Sequence, residues 1–191
     1  MEYPKYVKVN DKKYAINTDF RIAIECNRIA EDTSIGDFER ALAIIYTLFG
    51  DEGINAQDDY EKLLELATKY LSCGKEVSGN NNEEPDMDFV EDMDYIEASF
   101  MSDYGIDLEV TDMHWWKFCS LISGLTEKCI LNKVRDIRNT DLSEYKDAKT
   151  RNKIMRAMKN VALPIERTKE EEEMLREFEE LFEEEGGIIN G

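Results

Sequence analysis

Hydrophobic and polar residues alternate near the start of the chain, in the stretch KYVKVNDKKYAI. Residues that suit strands stand on both sides of an Asn-Asp turn, namely Tyr6, Val7, Val9, Tyr14 and Ile16. This pattern predicts a short β-hairpin over residues 5–16. Because a lone hairpin is barely stable in water, we expect it to pack on the helices that follow or to pair with another chain.

Apolar residues then recur at steps of three and four, which predicts three amphipathic helices. The first begins at Thr18 or Asp19, and its apolar stripe contains Phe20, Ala23, Ile24 and Cys26. The second ends at Gly50, and its stripe contains Phe38, Ala41, Leu42, Ile45 and Phe49. The third ends at Gly74, and its stripe contains Tyr60, Leu63, Leu64, Ala67 and Leu71. Residues 1–74 are therefore predicted to form a hairpin plus three helices that bury one face each.

Residues 75–86 are rich in Gly, Ser and Asn, which favour turns, and they predict a flexible acidic linker. The next helical face contains Phe89, Met93, Ile96, Phe100 and Tyr104, and it ends at Gly105. A following helix has Thr111 or Asp112 as its cap. Its stripe contains Trp115, Cys119 and Ile122, with Trp116 and Phe118 to either side.

Two further helices complete a helical C-terminal part over residues 87–163, and Pro164 breaks the pattern. Beyond it, residues 164–191 predict an acidic amphipathic tail helix whose apolar stripe includes Leu175, Phe178 and Phe182. The predicted fold class is mainly α, with bundle-like helices and a short N-terminal β-hairpin.

Charge narrows the classes of partner. The formal net charge is −19, which disfavours nucleic acid as the main ligand, because a nucleic-acid binder neutralises phosphates with Lys and Arg. It favours a basic or apolar protein partner. Residues 126–160 carry ten basic against five acidic residues, and three interpretations stay open: a nucleic-acid contact, a solvated face, or neutralisation of the acidic tail or of another subunit.

The sequence contains no apolar run of the roughly 20 residues that a membrane-spanning helix needs. We see no signal peptide at the N-terminus, so we expect a cytoplasmic protein. Its four cysteines, which are widely spaced, are then expected to be reduced and mostly buried.

Candidate chemistry is sparse, and we predict no catalytic, cofactor-binding or metal-binding residues. The phosphate-binding, dinucleotide-binding and nucleophile-elbow glycine motifs are absent, and a single histidine, His114, rules out a two-histidine zinc site. A Cys119–His114 nucleophilic pair is conceivable from the spacing, but a thiol on an apolar stripe is inert. The acids between Asp86 and Asp94 lack the glycine and glutamate offsets of a calcium loop, and they suit the start of a helix.

The adjacent tryptophans are the most informative pair in the chain. Neighbours on a helix point about 100° apart, so at most one of Trp115 and Trp116 can lie at the centre of a small core. The other is predicted to lie at a boundary, a groove or an interface, where tryptophan is enriched among binding hot spots.

Around these tryptophans the sequence resembles a known phage family. The series DMDYIEASFMSDYGIDL, MHWWKFCSLISGL and RNTDLSEYKDAKTRNKIMRAMK, with a short basic helix before the last, is similar to the phage gene-product-fifteen family of siphophages infecting Gram-positive bacteria. The resemblance runs from the hairpin to about residue 163 and is sharpest over 92–145. The acidic tail has no obvious counterpart in it.

The resemblance implies a non-enzymatic tail assembly chaperone in the host cytoplasm, absent from the finished virion. Such a protein binds the tape measure protein, keeps it soluble, and is displaced as tube subunits polymerise; the major tail tube protein is a second possible partner. We also expect self-association, because a protein that coats a filament gains avidity. The candidate contact residues are Tyr104, Trp115, Trp116, Phe118, Leu175, Phe178 and Phe182.

Two alternatives remain open. The chain could be a structural tail or head-completion component that stays in the virion. It could also be an acidic inhibitor of a host nucleic-acid-binding protein.

Overall fold

The computed structural model of the protein describes residues 2–75 and 85–164. It is 60% helical, and this described part contains seven α-helices and one two-stranded antiparallel sheet. The helices are α1 (Phe20–Glu31), α2 (Asp37–Ile54), α3 (Tyr60–Leu71), α4 (Met93–Tyr104), α5 (Trp115–Ser123), α6 (Ile130–Arg138) and α7 (Ala148–Val161). Short 3-10 turns precede α3 and α7. The predicted fold class, mainly α with a short N-terminal hairpin, is confirmed.

The hairpin consists of β1, Tyr6–Val9, and β2, Lys12–Ala15. Asn10 in the turn has a φ of 53°, a left-handed conformation that asparagine adopts more readily than most residues. Val9 and Tyr14 are buried, and the Tyr14 hydroxyl donates a 2.8 Å hydrogen bond to Asp59 just before α3. The hairpin therefore packs on the helices.

The starts of α1 and α5 are joined by main-chain hydrogen bonds. The Phe20 amide donates to the Met113 carbonyl at 2.9 Å, and the Trp115 amide donates to the Thr18 carbonyl at 2.8 Å. Asp19 and His114 lie opposite each other in this short antiparallel bridge. The two helices consequently begin side by side, although their first residues are far apart in sequence.

The core is one cluster to which both halves of the chain contribute. Leu48 and Leu63 come from α2 and α3, and Phe100, Phe118 and Leu131 come from α4, α5 and α6. The described residues up to Val161 form one compact unit. The division into parts 1–74 and 87–163 stays a prediction.

Several local expectations hold, and others need correction. On α1 the buried residues are the four predicted, and Asp19 caps the helix, its carboxylate accepting from the Arg21 amide. Phe38 on α2 is exposed, because the buried stripe runs instead through Ile44, Ile45, Leu48 and Phe49. Gly50, predicted to end the second helix, has non-helical torsion angles (φ 64°, ψ −155°) and divides α2 at a kink, beyond which a short helical segment continues to Ile54.

Two predicted helix starts were wrong. The helix expected from residue 87 begins at Met93, because residues 85–92 form turns in which the Asp88 side chain accepts from following amides. The cap of α5 is His114, where Thr111 or Asp112 was predicted. Gly105 ends α4 with a φ of 64°, as expected.

Some predictions fall outside the described residues. The predicted tail helix, with Leu175, Phe178 and Phe182, lies there, and so does most of the predicted linker.

Candidate functional site

The tryptophan–histidine motif at the start of α5 is built into the core. Trp115 is 2% exposed and Phe118 is fully buried, and their rings stack with centroids 5.7 Å apart. Phe118 also stacks on Phe20 of α1 at 4.4 Å and on Phe100 of α4 at 5.3 Å. These contacts join three helices through aromatic packing.

Trp116 lies at the boundary and is half-buried. Its indole Nε1–H donates to the Tyr70 carbonyl at 2.9 Å, and the Trp115 Nε1–H donates to the Leu71 carbonyl at the same distance. Both carbonyls belong to the last turn of α3, where carbonyl oxygens have no N–H donor from within the helix. The prediction that one indole is central and the other peripheral is confirmed.

His114 is fully engaged by the fold. Its Nδ1 accepts from the Trp116 amide at 3.0 Å, so the proton lies on Nε2, which contacts the Pro4 carbonyl at 2.9 Å. The ring stacks on Tyr3 and meets the edge of Tyr70. Both ring nitrogens therefore have partners other than Cys119.

Tyr104, the remaining described candidate, is half-buried at the end of α4. Its hydroxyl donates to the Leu121 carbonyl of α5 at 2.8 Å, and its ring packs on Phe100. In this conformation the side chains of Tyr104, Trp115 and Phe118 contact neighbouring helices and expose little surface to a partner. A partner-binding role for these residues and for Trp116 stays a prediction.

A groove opens on the outer face of α5, where the apolar stripe was predicted to be part of the core. It measures about 310 Å³ and lies between α5, α6 and the turns before α4. Its lining residues are Met87, Phe89, Cys119, Ile122, Ser123, Asn132 and Arg135. The buried stripe of α5 runs through Trp115 and Phe118, so Cys119 and Ile122 are left half-buried at the surface.

The groove has an apolar floor and a polar rim. Phe89 is held from below by the rings of Trp115 and Phe118, at 5.4 and 6.2 Å. At the rim, the Arg135 guanidinium donates to Asp86 at 3.0 Å and to Asn132 at 3.3 Å. Burial raises the pKa of Asp86, but hydrogen bonds from Arg135 and Asn139 outweigh it and hold that pKa below its usual range. A concave apolar surface with a charged edge suits the side chains of an amphipathic helix.

The basic segment is concentrated in α7. This helix contains five Lys and Arg and no acidic residue, and among the seven described α-helices only α7 has no buried residue. Its half-buried apolar positions include Ile154 and Met158, while Met155 is 50% exposed. One end is anchored by Arg138 of α6, whose Nε donates to the Val161 carbonyl at 2.5 Å.

The acidic residues before α4 have structural partners. Asp92 is buried and accepts two hydrogen bonds from Arg138, and its carboxylate also accepts from the Asp88 amide at 3.1 Å. Within the described ranges no group of three or more His, Cys, Asp or Glu side chains is placed to hold a metal ion. None of the helices in those ranges is long and apolar enough to cross a membrane.

Sequence reasoning missed the groove and the Asp19–His114 bridge. A polar residue followed by an aromatic one stands at the start of both α1 and α5, as Asp19-Phe20 and His114-Trp115. This similarity was the one sequence signal that could have indicated the bridge. For the groove there was no signal, since it depends on how three separate segments pack.

Comparison with protein families gives a match, whereas comparison with individual proteins does not. No curated protein and no solved structure matches the chain. The family described as Bacteriophage Gp15 protein matches residues 2–163, which include every described helix and the whole hairpin. Since this match spans well over half of the sequence, the chain belongs to the Bacteriophage Gp15 protein family.

Proposed function

We propose that this protein is a non-enzymatic tail assembly chaperone that binds the phage tape measure protein and keeps it soluble while the tail tube assembles. The observation that carries the proposal is that this member of a phage protein family has an open apolar groove on its surface and a basic helix with no buried residue. The proposed site of action is the host cytoplasm, with release before the virion is complete.

The groove supports this function through its dimensions and lining. Ile122, Met87 and Phe89 present flexible or flat apolar surfaces, and methionine adapts to partners of different shape. The buried rings beneath it keep the floor in place, so little ordering is needed when a partner binds. A large apolar side chain from a partner helix would enter this groove.

The charge of α7 supports a second contact. In a chain with a net charge of −19, a helix with five basic residues and no acidic residue gives a local field of opposite sign. This helix would attract acidic stretches of the partner. Together the groove and α7 provide apolar and electrostatic attraction on one compact unit.

The direct test is co-expression of the tape measure protein with and without this chain. We expect the tape measure protein to move into the soluble fraction and to co-purify with this chain. If it is equally insoluble in both cultures, the proposal is wrong.

Two measurements separate this function from the alternatives. Mass spectrometry of purified virions should find this chain far below stoichiometric amounts, whereas a structural component would be stoichiometric. An acidic inhibitor of a host nucleic-acid-binding protein would instead capture that protein from host lysate at low salt and release it at high salt.

We also propose self-association, since repeated contacts along a filament gain avidity. Light scattering over a range of protein concentrations tests it. A constant monomeric mass at every concentration would contradict this part of the proposal.

A further inference from the structure

Two half-buried thiols, Cys73 and Cys119, lie where the end of α3 packs on α5. The indole hydrogen bonds from Trp115 and Trp116 fix the last turn of α3 against the first turn of α5. The main chain then passes close over Trp116, because a Cβ built on Gly74 would lie 3.2 Å from its Cη2 atom. Cys119 stands one helical turn after Trp116, and Cys73 immediately precedes Gly74.

This packing places the two thiols close enough to affect each other's ionisation. The Cys119 thiol, as a hydrogen-bond donor, lowers the pKa of Cys73; burial opposes this shift, and the Lys75 ammonium lowers the pKa further. The same hydrogen bond, together with burial, raises the pKa of Cys119. Cys73 is thus the thiol that ionises first, and Cys119 is the neighbouring thiol that supports its anion.

The surroundings also favour an anionic sulfur at this point. Tyr70 is 3% exposed, and within the described part of the chain its hydroxyl has no hydrogen-bond partner. Cys73 and Cys119 are among the groups that act electrostatically on that hydroxyl. A buried hydroxyl without a partner is an available donor, and a nearby thiolate is an acceptor for it.

The other two cysteines provide the contrast. Cys26 and Cys129 are buried in the core. Burial raises the pKa of the Cys26 thiol to about 12, so it is almost entirely protonated at neutral pH. The Cys129 sulfur accepts from the Asn132 amide at the start of α6.

We propose that Cys73 and Cys119 form a reversible intramolecular disulfide when the protein meets a peroxide. The Cys73 thiolate attacks one peroxide oxygen of hydrogen peroxide; the O–O bond breaks, and the products are a sulfenic acid and hydroxide. The Cys119 sulfur then attacks the sulfenic sulfur, the S–S bond forms, and water leaves. In total, two thiols and one hydrogen peroxide give one disulfide and two waters.

This modification goes beyond the proposed chaperone function, and it does not depend on that function. The new bond would join α3 to α5 at the point where both indoles dock. It would also leave Ile122, one turn further along α5, attached to a more rigid support. A dithiol reductant would restore both thiols by exchange.

The test uses the full chain, treated with hydrogen peroxide and then alkylated and digested with trypsin. The four cysteines fall in four different tryptic peptides: 22–28, 70–75, 118–128 and 129–133. We expect the intact protein to lose two hydrogen atoms in mass, and peptides 70–75 and 118–128 to be linked. The Tm should rise by about 5 °C, and dithiothreitol should reverse both changes.

Serine variants supply the controls. Cys73→Ser and Cys119→Ser should each prevent the mass loss while keeping the helical circular dichroism spectrum. Cys26→Ser should form the same link as the unchanged protein. The proposal is overturned if the linked peptides include 22–28 or 129–133, if the link joins two chains, or if 70–75 and 118–128 remain unlinked at peroxide concentrations that oxidise exposed methionines.

Discussion

The Arg138 guanidinium donates two hydrogen bonds to the Asp92 carboxylate, at 2.6 and 2.7 Å, and Asp92 is 1% exposed. Arg138 also donates to the Asp86 carbonyl. The hydrogen bond with Asp92 raises the pKa of the Arg138 guanidinium. The pair joins α6 to the start of α4 at the edge of the core.

Removing one partner of this buried ion pair should lower the free energy of unfolding. Asp92→Asn keeps the size of the side chain but leaves the Arg138 charge without its counterion, and we expect the free energy of unfolding to fall by about 3 kcal/mol. Urea unfolding measures the loss. Arg28→Met, which removes the exposed pair with Glu25 on α1, should leave the midpoint unchanged. Equal midpoints for Asp92→Asn and Arg28→Met would show that the buried pair is not a strong contact.

The adjacent tryptophans should differ in their contribution to stability. Trp115→Phe removes both buried volume and the hydrogen bond to Leu71, with an expected cost of about 3 kcal/mol. Trp116→Phe removes mainly the hydrogen bond to Tyr70 at the boundary, with an expected cost of about 1 kcal/mol. Parallel urea titrations measure both losses. A larger loss for Trp116→Phe would contradict the assignment of Trp115 to the core.

Much of the fold could be predicted because periodicity reports burial directly. The stripe on α1 and the hairpin register follow from spacing alone, and Gly105 ends α4 for a local steric reason. The prediction that Phe38 lies on the buried stripe was wrong because an amphipathic pattern does not say where along a helix the core begins.

The candidate site was less predictable because it depends on contacts between distant segments. His114 caps α5 since its segment pairs with the one before α1, which no local pattern reveals. The groove exists since Trp115 and Phe118 turn inward and leave Ile122 outside. Choosing between these two stripes of α5 required the positions of α1, α3 and α4.

High pH should destabilise the protein through Tyr14. Burial and the hydrogen bond to Asp59 raise the pKa of Tyr14 to about 12, against about 10 in an unfolded chain. The folded state therefore binds the Tyr14 proton more tightly than the unfolded chain does. The resulting contribution to the free energy of unfolding is complete below about pH 10 and is lost as the pH rises towards 12. Unfolding free energies measured at steps from pH 8 to 12 should fall less steeply for Tyr14→Phe than for the unchanged protein. Tyr46→Phe, at an exposed site on α2, is the matched control, and parallel curves for all three proteins would contradict the prediction.

The basic helix α7 should contribute attraction that salt weakens. Reversing two of its exposed charges, Lys153→Glu with Arg156→Glu, should lower the affinity for the tape measure protein about tenfold at low salt, and less at high salt, where the charges are screened. Lys62→Glu with Lys69→Glu on α3 gives the same net charge at exposed positions away from α7. The fraction of co-expressed tape measure protein that stays bound during purification at two salt concentrations measures both variants. An equal loss in the two variants would mean that net charge, and not α7, controls binding.

The groove should contribute apolar binding, and Ile122 is the residue to change. Ile122→Glu places a charge where a partner side chain would enter, while Ile122 itself is only half-buried, so we expect binding to weaken at least tenfold with little change in the unfolding midpoint. The matched control is Ile35→Glu, the same substitution at a 37% exposed position in the loop between α1 and α2. Binding of both variants is measured by co-purification with the co-expressed tape measure protein, and their unfolding midpoints are measured in urea. If Ile35→Glu weakens binding and Ile122→Glu does not, the partner binds near the loop between α1 and α2. The groove is then not the binding site.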